Sequence, residues 1–323
     1  MKQTKDPELT RLVAIEMRVL LSLIISLCIS PANADQFKIP YHGDSANSPT
    51  ATWSPENKDD SGVSNNFLNG APEEGGKVQK DGELWVETIK PDGTTGPIPF
   101  VVLMHGRMGM SSLTSDWAHK LAKTLNTEGI GVMVVDSYTT RKVEKSCGPP
   151  DLHWGRRRVN DAYSALDYLV EKKLASEASI MGQSNGGLTT MVAISKQEDQ
   201  RKNKFVAGFS VVPQCSYPSV RGSDFYAPLI LFTGEKDDAN SPKNCVELSK
   251  KKRKTPVQVV IYKDADHGFM EDYKARTMYG YTDSHGKVHN WTLSYNRRAD
   301  TNMMHSIVSA IKNKTFMRGN ELR

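Results

Sequence analysis

The chain has 323 residues, of which 38% are hydrophobic and 24% are charged, and this balance excludes a disordered, collagen-like or coiled-coil protein. Its 42 Lys and Arg residues against 37 Asp and Glu residues give a net charge of +5 at pH 7. Because this charge is spread along the sequence, it gives no electrostatic case for a nucleic-acid partner.

The N-terminal region has the pattern of a secretion signal. Residues 19–30 form a mainly apolar stretch of twelve residues after a basic residue, which is too short to span a bilayer. Ala32 and Ala34 supply the small residues that signal peptidase requires. We therefore expect residues 1–34 to be a signal peptide, with Met17 as an alternative start. The mature protein is then secreted or periplasmic, with no stable membrane anchor.

Residues 35–80 are rich in Asn, Ser, Asp, Gly and Pro and show no sustained periodicity, so they are predicted to be an irregular N-terminal segment. Beyond them, short apolar runs alternate with helical patterns. The predicted strands are Leu84–Ile89, Phe100–Met104, Val132–Val135, Ser179–Met181, Phe205–Val212, Leu229–Phe232 and Val257–Tyr262. Clear helical patterns run over residues 159–170 and 303–311, and a weaker one runs over residues 117–125. This alternation predicts one α/β domain over residues 81–317, with a mostly parallel central sheet and helices on both faces.

A glycine-rich motif lies between a predicted strand and a predicted helix. It reads Gly182-Gln183-Ser184-Asn185-Gly186-Gly187 and is followed by an apolar helical run. A serine on such a tight turn needs small neighbours, and the helix N-terminus behind it favours a developing negative charge. Ser184 is therefore the predicted nucleophile, the alternative being a turn that only caps the helix.

A base and an acid follow two later strands. His267 comes after the strand that ends at Tyr262, and Asp237 and Asp238 come after the strand that ends at Phe232. In open α/β sheets, catalytic groups gather at the carboxyl ends of strands. We expect His267 to be the general base and one of the two aspartates to orient it, although a structural histidine and a polar turn are the alternatives.

Two backbone N–H groups are expected to form an oxyanion hole. One belongs to Asn185, directly after the nucleophile, and the other to Arg107 in the glycine-containing loop after the second predicted strand. His105 in that loop is expected to be a structural hydrogen-bonding residue.

These motifs resemble the dienelactone hydrolase family over roughly residues 80–315. The matching motifs are H-G-x-x-G from His105, the serine motif, G-x-x-D from Gly234 and D-H-G-F around His267. The resemblance implies an α/β-hydrolase fold without a cofactor. Its spacing from Gly234 favours Asp237 as the acid, whereas the position of Pro242 leaves Asp238 open.

The chain departs from the family at the positions that bear on substrate. Ser184 replaces the family's cysteine, and His105 and Gly106 stand where the family has a glutamate. Of the family's two arginines that hold a substrate carboxylate, Arg141 is matched and Glu271 stands in place of the other. We therefore expect hydrolysis of a carboxylic ester, with neutral esters preferred over anionic ones, unless Glu271 points into solvent.

Three cysteines remain after removal of the leader. Cys215 and Cys245 each lie a few residues beyond consecutive strands, which favours a disulfide between them, whereas Cys147 follows a different strand. No C-x-x-C motif occurs, and no metal site is predicted.

The sequence thus predicts an exported serine hydrolase that cleaves a small-molecule ester through an acyl-enzyme. A serine peptidase, an acyl transferase and a non-catalytic binding protein of the same fold are the alternatives. The aromatic segment 268–298 either covers the site or packs as a flap elsewhere on the surface. No oligomeric state is predicted.

Overall fold

A computed structural model of the chain describes residues 33–42, 81–142, 158–217, 220, 222–282, 288–316 and 319–322. Most of the predicted signal peptide, residues 43–80 of the predicted irregular segment, and Cys147 lie outside these described residues.

A nine-stranded sheet forms the centre of the fold, in the order β1-β2-β4-β3-β5-β6-β7-β8-β11. Its strands are β1 (Asn33–Tyr41), β2 (Gly82–Lys90), β3 (Ile98–Met104), β4 (Gly131–Asp136), β5 (Ala175–Gln183), β6 (Gly208–Val211), β7 (Leu229–Gly234), β8 (Val257–Tyr262) and β11 (Gly319–Leu322). The β1–β2 and β2–β4 pairs are antiparallel, and all the other pairs in this sheet are parallel. The predicted α/β class with a mostly parallel sheet is confirmed.

The helices lie between and after these strands, at places where the sequence pattern predicts them. They are α1 (Ser112–Asn126), α2 (Arg158–Glu171), α3 (Asn185–Ala193), α4 (Pro242–Lys250) and α5 (Arg297–Asn313). Two of them begin with a capping side chain: Ser111 accepts a hydrogen bond from the Thr114 N–H of α1, and Asn296 accepts one from the Ala299 N–H of α5. The basic run at residues 250–254 begins at the last residue of α4, as expected for a helix end.

The strands in the middle of the sheet are buried along most of their length without alternation. On β3, residues 100–104 are all buried, and so are all six residues of β7. A parallel sheet covered on both faces requires such continuous apolar strands. This buried sheet is a rigid platform, and the loops at the carboxyl ends of its parallel strands carry the candidate site.

The N-terminal segment is not irregular throughout. Strand β1 occupies its first residues, where Phe37, Ile39 and Tyr41 alternate with more polar residues. Ile39 and Tyr41 are buried, whereas Lys38 is exposed. This correction has a simple cause: an edge strand with three alternating apolar residues gives only a weak period-two signal.

The domain also continues past the predicted boundary at residue 317. Strand β11 pairs in parallel with β8, from Gly319 opposite Gln258 to Leu322 opposite Ile261. Four polar-rich residues carry too little hydrophobic pattern to indicate a strand. The domain boundary therefore has to be moved to Leu322.

The predicted disulfide between Cys215 and Cys245 is present. The two sulfurs are bonded, with the Cα atoms 5.0 Å apart. Both residues are buried. The bond links the segment after β6 to α4, the helix that follows the Asp237 loop.

Candidate active site

Three side chains meet at the carboxyl edge of the sheet. Ser184 follows β5, Asp237 follows β7, and His267 follows β8. His267 Nε2 lies 3.1 Å from Ser184 Oγ, and His267 Nδ1 lies 3.0 Å from each carboxylate oxygen of Asp237. The structure therefore brings together, in one hydrogen-bonded chain, the three residues expected to act as nucleophile, base and acid.

The turn that presents Ser184 is strained and tightly packed. Ser184 has φ +52° and ψ −112°, a conformation that non-glycine residues rarely adopt. A Cβ atom on Gly182 would lie 2.1 Å from the carbonyl oxygen of Gly186. A Cβ on Gly186 would lie 2.1 Å from the carbonyl oxygen of Met104. Both flanking glycines are thus required by the close approach of β5, α3 and the end of β3.

The two candidate acids have different environments. Asp237 is buried, and its Oδ1 accepts the backbone N–H groups of Ala239 and Asn240 at 3.0 and 2.7 Å. Asp238 instead accepts the backbone N–H of Thr292, with its two oxygens 3.2 and 3.1 Å from that nitrogen. Only Asp237 contacts His267, so the geometry favours Asp237 as the acid.

The environment of His267 favours its protonation. Burial alone would lower the pKa of His267, but the charge and hydrogen bond of Asp237, with a smaller contribution from Glu271, raise it above its ordinary value. Asp237 thus acts on the imidazole both by fixing its orientation and by stabilising its charged form.

The base loop is tied to the segment that follows it. The buried carboxylate of Asp266 accepts the Gly268 N–H at 2.8 Å and the Ser294 N–H at 2.9 Å, and the hydroxyl of Ser294 donates to its other oxygen. A Cβ on Gly268 would lie 2.8 Å from the Cβ of Leu293. These contacts hold the loop of His267 against the end of the strand Val288–Leu293.

The aromatic segment after His267 contains a two-stranded hairpin, β9 (Arg276–Thr282) and β10 (Val288–Leu293). Besides the contact between Thr292 and Asp238, the Trp291 ring lies 5.8 Å from the guanidinium carbon of Arg107. The end of β10 therefore lies beside the site loops, which favours the alternative in which this segment covers the site.

The loop after β3 is held by His105. Its Nδ1 lies 2.7 Å from the Gly106 carbonyl oxygen, and its Nε2 accepts the Ser137 N–H at 3.2 Å. Burial, together with the charge of Arg158, lowers the pKa of His105 well below its ordinary value. His105 is therefore neutral and structural, as expected from the sequence.

The two expected oxyanion-hole residues come from segments that touch. Arg107 lies in the loop after β3, and Asn185 is the first residue of α3. The close approach of Gly186 to the carbonyl oxygens of Met104 and His105 joins these segments. The loop after β3 and the start of α3 are thus two adjacent walls of the site, and each carries one of the two backbone N–H groups.

Arg141, which the family resemblance assigns to a substrate carboxylate, contacts a carboxylate of the protein itself. Its Nη2 and Nη1 donate to the two carboxylate oxygens of the buried Asp161 at 2.8 and 2.9 Å, and Nη1 also donates to the Ser137 carbonyl. Its guanidinium carbon lies 4.1 Å from the centre of the Tyr41 ring on β1. These contacts tie Arg141 to the scaffold through an ion pair with Asp161, and its role as a substrate ligand stays a prediction.

Glu271 does not point into solvent. Its side chain is buried, its carboxylate accepts a hydrogen bond from the Gln183 side chain, and Arg276 Nη2 lies 3.8 Å from its Oε2. Burial raises the pKa of Glu271. The hydrogen bond with Gln183 and the charge of His267 lower this pKa and so oppose part of the rise. Glu271 is therefore a buried carboxyl group in the wall beside Ser184 and His267.

Replacing Glu271 with Gln is expected to move the acid limb of the kcat/KM profile for an ester to lower pH. A general base works when neutral, so kcat/KM rises as pH increases through the pKa of His267. The Gln side chain removes one of the charges that raise this pKa, and the pKa falls. The measurement is the pH profile of kcat/KM, with Asp272→Asn as the control at an exposed neighbouring carboxylate. An upward shift, or no shift, in Glu271→Gln would contradict the electrostatic coupling.

One residue of the site was missed from the sequence. Arg158, at the start of α2, is fully buried and donates to the His105 carbonyl and to the Asn185 side chain. Its position could have been found from the helical phase, since Ala162, Ala165 and Leu169 are four, seven and eleven residues further along on the same buried stripe.

Within the ranges that the structure describes, no group of three or more His, Cys, Asp and Glu side chains is arranged to hold a metal ion. None of the helices in those ranges is long and apolar enough to cross a membrane.

Comparison with known proteins supports the same fold. One similar solved structure is a protein of Klebsiella pneumoniae assigned as a dienelactone hydrolase, with 14% sequence identity and a TM-score of 0.54, and the match covers 72% of this chain and 94% of that one. Another is the dienelactone hydrolase of Anabaena variabilis, with 19% identity and a TM-score of 0.50, and the match covers 73% of this chain and 94% of that one. A third is the dienelactone hydrolase-like promiscuous phosphotriesterase P91 from metagenomic libraries, with 16% identity and a TM-score of 0.52, and the match covers 87% of this chain and 98% of that one. No curated protein matches the chain. The sequence profile of the dienelactone hydrolase family matches residues 86–314. The chain therefore belongs to the dienelactone hydrolase family.

Proposed function

We propose that this hydrolase is an exported serine esterase that cleaves a carboxylic ester through an acyl-enzyme. The observation that carries the proposal is the continuous hydrogen-bonded chain from Asp237 through His267 to Ser184 Oγ. A serine hydroxyl is a weak nucleophile until an adjacent base removes its proton, and that base needs an acid that fixes its orientation.

In the proposed reaction, His267 Nε2 takes the proton of Ser184 as Oγ attacks the ester carbonyl carbon. The backbone N–H groups of Arg107 and Asn185 hold the oxygen that becomes negative. His267 then gives the proton to the leaving alcohol oxygen, and the acyl group stays on Ser184. A water molecule, deprotonated by His267, attacks the acyl carbon. His267 then returns this proton to Ser184 Oγ as the acyl–oxygen bond breaks and the acid leaves. Asp237 stabilises the imidazolium in both halves of this cycle.

The substrate class follows from the charges around the triad. Arg141, which the family resemblance assigns to a substrate carboxylate, already binds the carboxylate of Asp161. Glu271 places a carboxyl group in the wall next to His267. Like charges disfavour an anionic ligand at a partly desolvated site, so we infer that uncharged esters are the preferred substrates.

Export is supported by the disulfide and by the leader-like N-terminal pattern. Disulfides such as Cys215–Cys245 persist in oxidising compartments and are rare in the cytosol. Cleavage after Ala34 would leave β1 starting at Asp35, still paired with β2 from Asp35 opposite Thr88 to Tyr41 opposite Gly82. The edge strand therefore tolerates the proposed processing site.

The proposal is tested with a fluorophosphonate probe, which reacts covalently with an activated serine. We expect one label per chain, located on Ser184 by peptide mapping, and no label on Ser184→Ala. An unlabelled wild-type protein would favour the binding-protein alternative. The esterase and peptidase alternatives are then separated by kcat/KM for an ester and for an anilide with the same acyl group. A higher kcat/KM for the anilide would contradict the ester assignment.

A further inference from the structure

Arg158 is a buried guanidinium in the middle of the site's scaffold. Its side chain is 0% exposed, and all three of its nitrogen atoms donate hydrogen bonds. Nη1 donates to Asn185 Oδ1 at 2.8 Å, Nη2 donates to the His105 carbonyl oxygen at 2.7 Å, and Nε donates to Ser137 Oγ at 3.2 Å. The side chain is therefore fixed by contacts with three different segments.

All three acceptors of Arg158 are uncharged. No carboxylate among the described residues forms an ion pair with its guanidinium, whereas the neighbouring Arg141 binds Asp161 through two hydrogen bonds. The Tyr138 ring lies 5.5 Å from the guanidinium carbon, and the more distant charges of Asp161 and Asp136 also act on it. A buried charge without a direct ionic partner is costly, and such groups concentrate where a reaction uses them.

Two of the three acceptors belong to the walls that carry the oxyanion-hole donors. The His105 carbonyl lies two residues before the Arg107 N–H in the loop after β3. Asn185 provides the other N–H from its own backbone, and its side chain is the group that Arg158 holds. One guanidinium therefore bridges the β3 loop and the start of α3.

We propose that Arg158 is a positioning residue that fixes the two walls of the oxyanion hole relative to each other, and that its positive charge stabilises the tetrahedral intermediate. This inference rests on the proposed serine-esterase function. The charge acts through the Asn185 side chain and the His105 peptide, behind the N–H groups that face the substrate. The negative charge that develops on the carbonyl oxygen then supplies an ionic partner of the kind that Arg158 lacks among the described residues.

The test compares Arg158→Met, which removes the charge, with Arg158→Lys, which keeps it. Arg158→Met is expected to lower kcat for a neutral ester about 100-fold, the effect of losing one oxyanion donor, with KM changed by less than about two-fold. Arg158→Lys is expected to keep part of the kcat that Arg158→Met loses. Ser137→Ala is the matched control, because it removes the third acceptor of Arg158 and leaves the two oxyanion-wall contacts in place.

A spectroscopic measurement separates this role from a purely structural one. A trifluoromethyl ketone forms a hemiketal with Ser184, and ¹³C NMR of its central carbon reports the pKa of the hemiketal oxygen. Arg158→Met is expected to raise that pKa, whereas Arg158→Lys and Ser137→Ala keep it near the wild-type value. A residue that only stabilises the fold would lower the melting temperature without moving this pKa.

The outcomes are distinguishable. An Arg158→Met enzyme with wild-type kcat, or with an unchanged hemiketal pKa, would overturn the role of Arg158 and leave the esterase proposal standing. A wild-type protein that neither hydrolyses esters nor forms the hemiketal would overturn both. If Arg158→Met does not fold, Asn185→Ala removes the same bridge from the acceptor side. It is expected to lower kcat about ten-fold, and unchanged kcat in that variant contradicts the proposal.

Discussion

Replacing Ser184 with Ala is expected to lower kcat for a small chromogenic ester by about four to six orders of magnitude. The variant keeps His267, Asp237 and the backbone of the site, but it has no oxygen to form the acyl-enzyme. The thermal transition is expected to stay nearly unchanged, because Ala at this position has the same positive φ as the serine and the side chain is not part of the core. Steady-state kinetics and a melting curve check the two parts of this expectation.

The control for Ser184→Ala is Ser164→Ala on α2. The hydroxyl of Ser164 donates to the carbonyl of Asn160 within its own helix. This variant is expected to keep wild-type activity and probe labelling. Ester hydrolysis that persists in Ser184→Ala at more than about one thousandth of the wild-type rate would contradict the proposed nucleophile.

Replacing Asp237 with Asn is expected to lower kcat by about four orders of magnitude, whereas Asp238→Asn changes it little. An Asn at position 237 keeps its backbone contacts only if its oxygen faces the N–H groups of Ala239 and Asn240. Its NH₂ group then faces His267 Nδ1, which must act as acceptor. The ring proton moves to Nε2, where it points at Ser184 and prevents the base from accepting the serine proton.

The same comparison decides between the two aspartates. Asp238 contacts the Thr292 N–H, and the side-chain oxygen of an Asn can still accept that hydrogen bond. Both variants are assayed at alkaline pH, where His267 is neutral in every enzyme, so that a change in its pKa does not enter the comparison. A larger loss in Asp238→Asn than in Asp237→Asn would show that the acid is assigned to the wrong residue.

The fold could be predicted where the hydrophobic pattern is strong and continuous. The predicted bounds of the strand Val257–Tyr262 match the observed ones, because five of its six residues are buried and its hydrophobic pattern is nearly continuous. Strands β1, β9, β10 and β11 were missed. They lie at the edge of the sheet or in a separate hairpin, and the apolar alternation in their sequences is short.

The site could be predicted as far as its chemistry depends on local sequence. The candidate catalytic residues each follow the end of a strand within a few residues: Ser184, Asp237 with Asp238, and His267. The order of strands and loops along the chain was therefore enough to place them at one edge of the sheet. Arg141 and Glu271 could not be assigned, because the direction of a side chain depends on partners distant in sequence. Arg141 turns toward Asp161, and Glu271 is buried against Gln183, 88 positions away.

The contacts of Asp266 limit how this enzyme can be redesigned. One buried carboxylate holds both the backbone beside His267 and the end of the β9–β10 hairpin, through Gly268 and Ser294. The β9–β10 hairpin therefore cannot be exchanged for another hairpin unless these contacts of Asp266 are kept. A hairpin transplanted from another member to alter substrate range must bring a hydroxyl at position 294 and leave the backbone of Leu293 against Gly268. Exchanges confined to the part of the hairpin before Thr292 leave His267 in place.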